Sequence, residues 1–144
     1  MKIVIDTNRL IAALLRSSVS RKIVLNDKFD FYSPNIITEE IQKHRKYLID
    51  KANIKPGEFE IILSTLIEKI KLVPFNGFKH EFIRAVDIMK EFDVTDSAFI
   101  ALALALKADG IWTEDKHFLK QNNVKIYSTV ELNRMLDRPR NKKS

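Results

Sequence analysis

Four acidic residues spread along the chain have positions that allow them to meet at one site: Asp6, Glu40, Asp96 and Asp115. Carboxylates about 4 Å apart repel each other by about 1 kcal/mol per pair in water, and by more in a drier cleft. A cluster of them therefore requires a cation or an unusual protonation state. Hard oxygen ligands suit Mg²⁺ or Mn²⁺, and such an ion can polarise a phosphate and activate a water molecule that attacks it. The four acids predict a metal-dependent phosphodiesterase.

Each acid also has an ordinary structural explanation. Asp6 can end a strand or cap the helix that follows it, and Asp115 can cap a short helix. Asp96 is expected at the start of a helix, where the helix dipole favours a negative charge. Glu40 can be one of many exposed helix acids. Only the convergence of all four predicts a metal site.

The predicted elements alternate between strands and helices. Strands are predicted at residues 3–5, 29–34, 71–75, 110–115 and 124–127. Helices are predicted at residues 10–15, 19–26, 36–49, 58–70, 77–92, 96–109 and 115–120. Ser17 or Ser18 can cap the helix at 19–26. A last helix is predicted to follow the capping-box sequence of residues 128–131. Thr95 is the predicted N-cap of the helix at 96–109, which is apolar on every face from residue 99 to 106 and should be buried on both sides.

This alternation predicts an α/β fold with a parallel sheet covered on both faces. In such sheets ligands bind beyond the carboxyl ends of the strands, near the point where the strand order reverses. Asp6 and Asp115 each follow a buried strand, and we expect them to face one crevice although 108 residues lie between them.

Composition narrows the class of protein. The 144 residues predict one domain, placed at residues 1–136, with residues 137–144 as a basic, disordered tail. The chain has no cysteine, which excludes disulfide frameworks, thiolate zinc sites and cysteine nucleophiles. Its apolar runs are far shorter than the about 20 residues of a membrane helix, and its start lacks the apolar core of a signal peptide, so a soluble cytoplasmic protein is expected. A net charge of +6 favours a polyanion as partner.

Four stretches of the chain resemble the PIN domain family, and look most like the VapC-type toxin ribonucleases and their archaeal relatives. IVIDTN is similar to the opening motif and carries Asp6. SPNIITEEI is similar to the second motif and carries Glu40. DVTDSAFIALALALKADGIWTEDKHF is similar to the third and fourth motifs, with Asp96 opening the helix and Thr113 and Asp115 ending the strand.

The resemblance covers residues 1 to about 136 and implies a three-layer α/β/α sandwich that cleaves RNA with Mg²⁺ or Mn²⁺. It implies that the catalytic and metal-binding residues are Asp6, Glu40, Asp96 and Asp115. It implies that the supporting polar residues, which orient ligands or waters, are Thr7, Asn8 and Thr113. An antitoxin protein and a homodimer are implied as partners, and apolar runs such as IILSTLI favour the dimer as well.

Two neighbouring acids leave the assignment open. Glu39 precedes Glu40, and Asp93 stands three residues before Asp96. We prefer Glu40 because the second motif places its acid directly before an aliphatic residue. We prefer Asp96 because it stands at the helix start with the family's spacing to the Ala-Leu-Ala run.

Other residues with chemical potential are expected to be structural. His44, His80 and His117 show no ligand spacing, so zinc is disfavoured. His117 is close to the fourth motif but is expected to have no direct role. Trp112 is predicted to be a core residue of its strand and not a platform for base stacking.

Rival classes fit the sequence less well. A haloacid dehalogenase-like phosphatase requires a second Asp at the place of Asn8, and a response-regulator receiver requires an Asp after its middle strand, where residues 71–76 have none. The three glycines are too far apart for a phosphate-binding loop. A PIN-like module that binds RNA or protein without cleavage stays open as the alternative to an enzyme.

Overall fold

The chain folds around one five-stranded parallel sheet. A computed structural model describes residues 1–15, 18–90 and 94–138, except the side chains of residues 94 and 95. The strands are β1 Lys2–Ile5, β2 Asp30–Pro34, β3 Ile70–Val73, β4 Gly110–Trp112 and β5 Ile126–Tyr127. They lie in the order β3-β2-β1-β4-β5, and every neighbouring pair is parallel. The predicted parallel sheet is confirmed.

In the described residues eight α-helices flank this sheet and complete a three-layer α/β/α sandwich. They are α1 Thr7–Leu15, α2 Ser18–Leu25, α3 Ile36–Lys43, α4 Arg45–Ala52, α5 Pro56–Ile67, α6 Phe82–Met89, α7 Val94–Leu106 and α8 Thr129–Leu136. Short 3₁₀ helices occupy Phe75–Gly77, Lys79–Glu81 and Lys116–Lys120. None of the helices in these described ranges has the length and apolar character needed to cross a membrane.

The strand order reverses between β1 and β4. From β1 the chain adds β2 and β3 on one side, and later adds β4 and β5 on the other. The backbone N–H of Asp6 donates to the carbonyl of Trp112 over 3.3 Å, which ties the two strand ends together. Side chains that follow β1 and β4 therefore share one crevice.

The central sheet and α7 form the least exposed part of the molecule. Ile3, Val4 and Ile5 of β1 have no exposed surface. Residues 98–103 of α7 are all buried, whereas residues 104–106, which were also predicted to be buried, are half-buried. This helix packs against β1, β2 and β4. Since α7 is packed on several sides, it holds the residues of its first turn in a fixed place.

One predicted helix is two helices in the structure. Residues 36–49 were expected to be continuous, but α3 ends at Lys43 and α4 begins at Arg45. The residue between them, His44, leaves the helical region with φ −106° and ψ 13°. Ile41 and Leu48 are both buried on either side of the break. Because the apolar spacing continues through it, periodicity alone could not reveal this break.

Several element boundaries also differ from the prediction. α1 starts at Thr7 and not at residue 10, because Asp6 caps it, and α5 starts at Pro56. The third strand starts at residue 70 and ends at 73, and the start of the predicted helix at 77–92 is 3₁₀. α7 starts at Val94, before the predicted residue 96, so Thr95 lies inside the helix and the prediction that it is the N-cap is wrong.

Some predictions concern parts of the chain outside the described residues. These are the Ser17 cap, the Thr95 side chain, the alternative acid Asp93 and all of the predicted tail except Asp137 and Arg138. The two described tail residues close α8, where their backbone N–H groups donate to carbonyls of the last helical turn.

Candidate metal centre

A cavity of about 300 Å³ lies at the carboxyl ends of β1 and β4. Its walls come from α1, α3, α7 and the segment after β4. It is lined by Asp6, Thr7, Asn8, Ile11, Glu40, His44, Asp96, Phe99 and Asp115. The fold thus brings the four acids named from the sequence to one cavity, together with Thr7 and Asn8.

Of the two glutamates on α3, only Glu40 reaches the cavity. Glu40 is half-buried and lines it, whereas Glu39 is exposed and does not line it. Ile37 and Ile41 bury the neighbouring face of the helix, which fixes the rotation of α3 about its axis. The helical period therefore separates the two adjacent acids.

Asp6 is the most buried of the four acids, with 5% of its surface exposed. Its Oδ1 accepts a hydrogen bond from the backbone N–H of Arg9 over 2.9 Å, so Asp6 caps α1. Its Oδ2 accepts a hydrogen bond from the hydroxyl of Thr113. The capping role and a place in the acid cluster therefore belong to the same residue, since a carboxylate has about four lone-pair sites.

Burial raises the pKa of the Asp6 carboxyl above its usual range. The hydrogen bonds from Thr113 and Arg9 and the charge of Arg9 oppose this shift, while the negative charge of Asp115 adds to it. A cation in the cavity would relieve both the burial and the repulsion from Asp115.

Thr113 links two of the acids. While its hydroxyl donates to Asp6, the same oxygen accepts from the backbone N–H of Asp115 over 3.0 Å. Thr113 is buried and does not itself line the cavity. Its contribution is to hold Asp6 and the backbone of Asp115 in a fixed relation.

Asp115 also caps a helix. Its Oδ1 accepts from the backbone N–H of His117 over 2.9 Å and thereby starts the 3₁₀ helix Lys116–Lys120. The expectation that this acid could cap a short helix therefore holds, and the carboxylate still lines the cavity.

A group of three hydrogen-bonded residues next to Asp6 was not identified from the sequence. Thr129 Oγ1 accepts from Trp112 Nε1 over 3.0 Å and from Arg9 Nη1 over 3.5 Å. This contact holds the Arg9 guanidinium near Asp6. The only sequence signal was the position of Arg9, three residues after Asp6 at the start of a helix. Trp112 itself has no exposed surface, so its predicted core role is confirmed.

One histidine lines the cavity and a second lies beside two of its acids, although neither was expected to take part. His44 lines it, because the break between α3 and α4 carries this residue to the wall. His117 lies beside Asp96 and Asp115, and one ligand atom from each of these three residues falls within 4.8 Å of the others. Sequence reasoning missed both, since their neighbours are set by the fold and not by spacing along the chain.

The residues fit a divalent ion that prefers oxygen. Four carboxylates and the side chains of Thr7 and Asn8 supply oxygen ligands around one space. The hydroxyl of Thr7 is buried and has no hydrogen-bond partner within the described part of the chain. An ion with retained waters would satisfy that hydroxyl and offset the carboxylate charge.

Replacing Thr113 by valine is expected to weaken Mn²⁺ binding about 10- to 100-fold. Valine keeps the shape of threonine but removes the hydroxyl that joins Asp6 to the backbone of Asp115. The free energy of unfolding should fall by about 1–2 kcal/mol, because buried groups lose partners. Calorimetric titration with Mn²⁺ and urea unfolding measure the two effects. Thr113→Ser keeps the hydroxyl and is the control; equal losses in both variants would exclude a positioning role for the hydroxyl.

The chain belongs to the PIN domain family, whose sequence pattern matches residues 4–137. Among solved structures, it resembles the crystal structure of VapBC2 from Rickettsia felis bound to a DNA fragment from their promoter, with a TM-score of 0.64 and 15% sequence identity. The match covers 89% of this chain and 98% of that one, and at this identity it demonstrates a shared fold. No curated protein sequence shows significant similarity to the chain.

Proposed function

We propose that this protein is a Mg²⁺- or Mn²⁺-dependent ribonuclease of the cytoplasm that hydrolyses RNA phosphodiester bonds. The observation that carries the proposal is the convergence of four acids, distant in sequence, on one cavity at the reversal of strand order. Membership of the PIN domain family adds support, because PIN domains are generally nucleases.

In this proposal Asp6, Glu40, Asp96 and Asp115 hold the ion. When bound, a divalent ion supplies a Lewis acid for a phosphoryl oxygen and lowers the pKa of a bound water. A carboxylate oxygen of Glu40 accepts the proton that the attacking water loses. The Asn8 amide and the Thr7 hydroxyl donate hydrogen bonds to phosphate oxygens and so orient the scissile group.

The basic stretch on either side of His44 supports a polyanionic substrate. His44 lines the cavity, and its neighbours Lys43 and Lys46 are exposed. Arg45 has a different role, because it forms an ion pair with Glu60 and is therefore committed to the fold. The two exposed lysines can hold phosphates on either side of the cleaved bond, which releases counterions.

Glu40→Gln is expected to lower the rate of RNA cleavage about a hundredfold or more, since it removes a ligand and proton acceptor. Glu39→Gln should keep full activity, because Glu39 does not line the cavity. The assay compares labelled RNA and DNA of one sequence with Mg²⁺, Mn²⁺ or EDTA. Equal rates for the two variants, or undiminished cleavage in EDTA, would refute the proposal. Binding of RNA without any cleavage would support the non-catalytic module in its place.

We further propose that the protein is the toxin of a toxin-antitoxin pair and that an apolar segment of the antitoxin occupies a second cavity. This apolar groove has a volume of about 340 Å³ and is lined by Pro34, Asn35, Ile36, Phe75, Phe78, Phe82 and Ala98. Phe75 and Ile36 are 53% and 48% exposed and both line this groove, so their apolar surface is contiguous. The groove shares α3 and α7 with the acidic cavity, so an occupant would lie beside the site.

Expression of the wild-type chain is expected to arrest growth, and co-expression of a small protein encoded by a neighbouring gene should restore it. Phe75→Asp should weaken that rescue at least about tenfold in inhibitor dose, because it places a charge in the apolar groove. RNA cleavage by Phe75→Asp should be unchanged in vitro. Normal growth with wild-type protein at high expression would exclude the toxin, and undiminished rescue of Phe75→Asp would exclude the groove.

We also propose a homodimer. Most of the IILSTLI run serves the protein's own core, where Leu63 and Leu66 are buried. Ile61 and Tyr47 stay 69% and 61% exposed on α5 and α4 and would contribute apolar surface to a dimer contact. Light scattering that gives the monomer mass at high concentration would exclude it.

A further inference from the structure

We propose that His117 supplies an imidazole nitrogen ligand to the divalent ion and thereby makes the centre selective for Mn²⁺ over Mg²⁺. The inference rests on the proposed function, because it concerns the ion held by the same acids. It goes beyond the four oxygen ligands and adds a nitrogen donor from the segment after β4.

The first argument is the distance between ligand atoms. One carboxylate oxygen each from Asp96 and Asp115 and one imidazole nitrogen of His117 lie within 4.8 Å of one another. Two ligands of one octahedral ion with bonds of about 2.1 Å lie roughly 3.0–4.2 Å apart. The limit of 4.8 Å is slightly longer than this range, and rotation of the side chains can close the difference without movement of the backbone.

The second argument is the way in which the backbone of His117 is held. Its N–H donates to Asp115 Oδ1 over 2.9 Å, and the next residue, Phe118, is buried with 1% of its surface exposed. The Phe118 N–H donates to the carbonyl of Asp115 over 3.2 Å. His117 thus lies between the capping residue Asp115 and the buried residue Phe118, which fixes the position of its Cα atom next to the acids.

The imidazole of His117 is oriented toward the acids and is partly exposed. His117 Nδ1 lies 3.5 Å from Asp115 Oδ1, and about half of the side chain, 53%, is exposed. The ring is therefore directed toward the acids and still has room to turn about its side-chain bonds. If His117 lay close to Asp115 alone, an ordinary contact between the two side chains would explain its position. Asp96 lies in the same cluster, and this points to one ion shared by all three residues.

A nitrogen ligand changes which ion the centre prefers. Carboxylates, carbonyls and water suit Mg²⁺ and Mn²⁺ alike, whereas imidazole favours the transition metals. We expect His117→Gln to weaken Mn²⁺ binding about tenfold and to change Mg²⁺ binding less than about threefold. The ratio of the Mn²⁺ affinity to the Mg²⁺ affinity should therefore fall by at least about threefold in His117→Gln.

Pulsed electron paramagnetic resonance of bound Mn²⁺ tests the ligand directly, on the full chain without a histidine tag. The protein has three histidines, so an imidazole nitrogen coupling has only three possible sources. The coupling should be present in wild type, His44→Gln and His80→Gln and absent from His117→Gln. His80 lies exposed on the 3₁₀ helix Lys79–Glu81 and is the surface control, while His44 is the other histidine at the cavity.

The outcomes separate this inference from the proposed function. Mn²⁺ that binds wild type and loses affinity in Asp96→Asn, but shows no imidazole coupling, overturns the His117 ligand and leaves the metal centre in place. A coupling that disappears only in His44→Gln likewise overturns it. If Mn²⁺ does not bind the wild-type protein at millimolar concentration, both proposals fail. Selectivity from paired Mn²⁺ and Mg²⁺ titrations provides the second readout.

Discussion

Asp96→Asn is expected to lower RNA cleavage about a thousandfold while the protein stays folded. Asp96 lies in the first turn of α7 and lines the cavity, where we propose that its charge holds the divalent ion. The rest of the helix is anchored by Ile100 and Leu102, which have no exposed surface. Asparagine has nearly the same size, and the weaker interaction with the helix dipole costs about 0.3–1 kcal/mol.

The measurement is single-turnover cleavage of a labelled RNA with Mn²⁺, together with urea unfolding of both proteins. Asp87→Asn is the matched control, because Asp87 is an exposed acid on α6 outside the cavity. Asp87→Asn should cleave at the wild-type rate. If Asp96→Asn retains activity within about threefold of wild type, Asp96 does not belong to the site. If Asp96→Asn does not fold, the comparison of Glu40→Gln with Glu39→Gln takes its place as the test of the acids.

Asp6→Asn is expected to abolish Mn²⁺ binding and cleavage without loss of stability in the absence of metal. The raised pKa of Asp6 means that the folded state prefers the neutral carboxyl, because burial opposes its charge. At neutral pH the ionised side chain therefore costs stability in the metal-free protein. Asparagine is neutral and can still accept from the Arg9 N–H, so this cost disappears. Its amide nitrogen cannot accept from the Thr113 hydroxyl, but burial has a larger effect on Asp6 than that hydrogen bond, so no net loss of stability is expected.

The pH dependence has a definite sign. The folded state binds more protons at Asp6 than the unfolded state, so the stability that this group contributes is present below its unfolded pKa and is lost as pH rises through its raised folded pKa. In EDTA the free energy of unfolding of the wild type should therefore decline as the pH rises above the usual pKa range of an aspartate. Asp6→Asn should show no such decline. The difference between the two proteins isolates the contribution of this carboxyl.

Bound metal should make the wild type more stable than Asp6→Asn, the reverse of the order expected in EDTA. Mn²⁺ at about 100 times its dissociation constant should stabilise the wild type by about 2.7 kcal/mol and leave Asp6→Asn unchanged. Urea unfolding with EDTA and with Mn²⁺, from pH 4 to 8, measures both effects. If Asp6→Asn is the less stable protein in EDTA at neutral pH, burial does not dominate the energetics of Asp6 and the pKa argument is wrong.

The sequence predicted the sheet and its site-facing edge because those features follow from local patterns. β1 is a run of buried apolar residues followed by an acid, and α7 is apolar on every face, so both were recognisable. The parallel arrangement followed from the alternation of strands and helices. The rule that ligands bind at the reversal of strand order then placed Asp6 and Asp115 together.

The features that the sequence did not reveal depend on contacts between distant segments. The break at His44 is invisible to periodicity, because apolar residues continue in phase across it. The positions of His117 and Thr129 depend on how the segment after β4 folds back onto its neighbours. Histidine ligands were sought by spacing along the chain, but the fold brings His117 close to Asp96, an acid of another element.

The most direct test of the account is a crystal grown with Mn²⁺ and examined by anomalous scattering at the manganese edge. The account predicts a peak in the acidic cavity within about 2.3 Å of carboxylate oxygens from at least two of Asp6, Glu40, Asp96 and Asp115. A protein that cleaves RNA under the same conditions, but whose manganese lies elsewhere or is absent from the cavity, would contradict it.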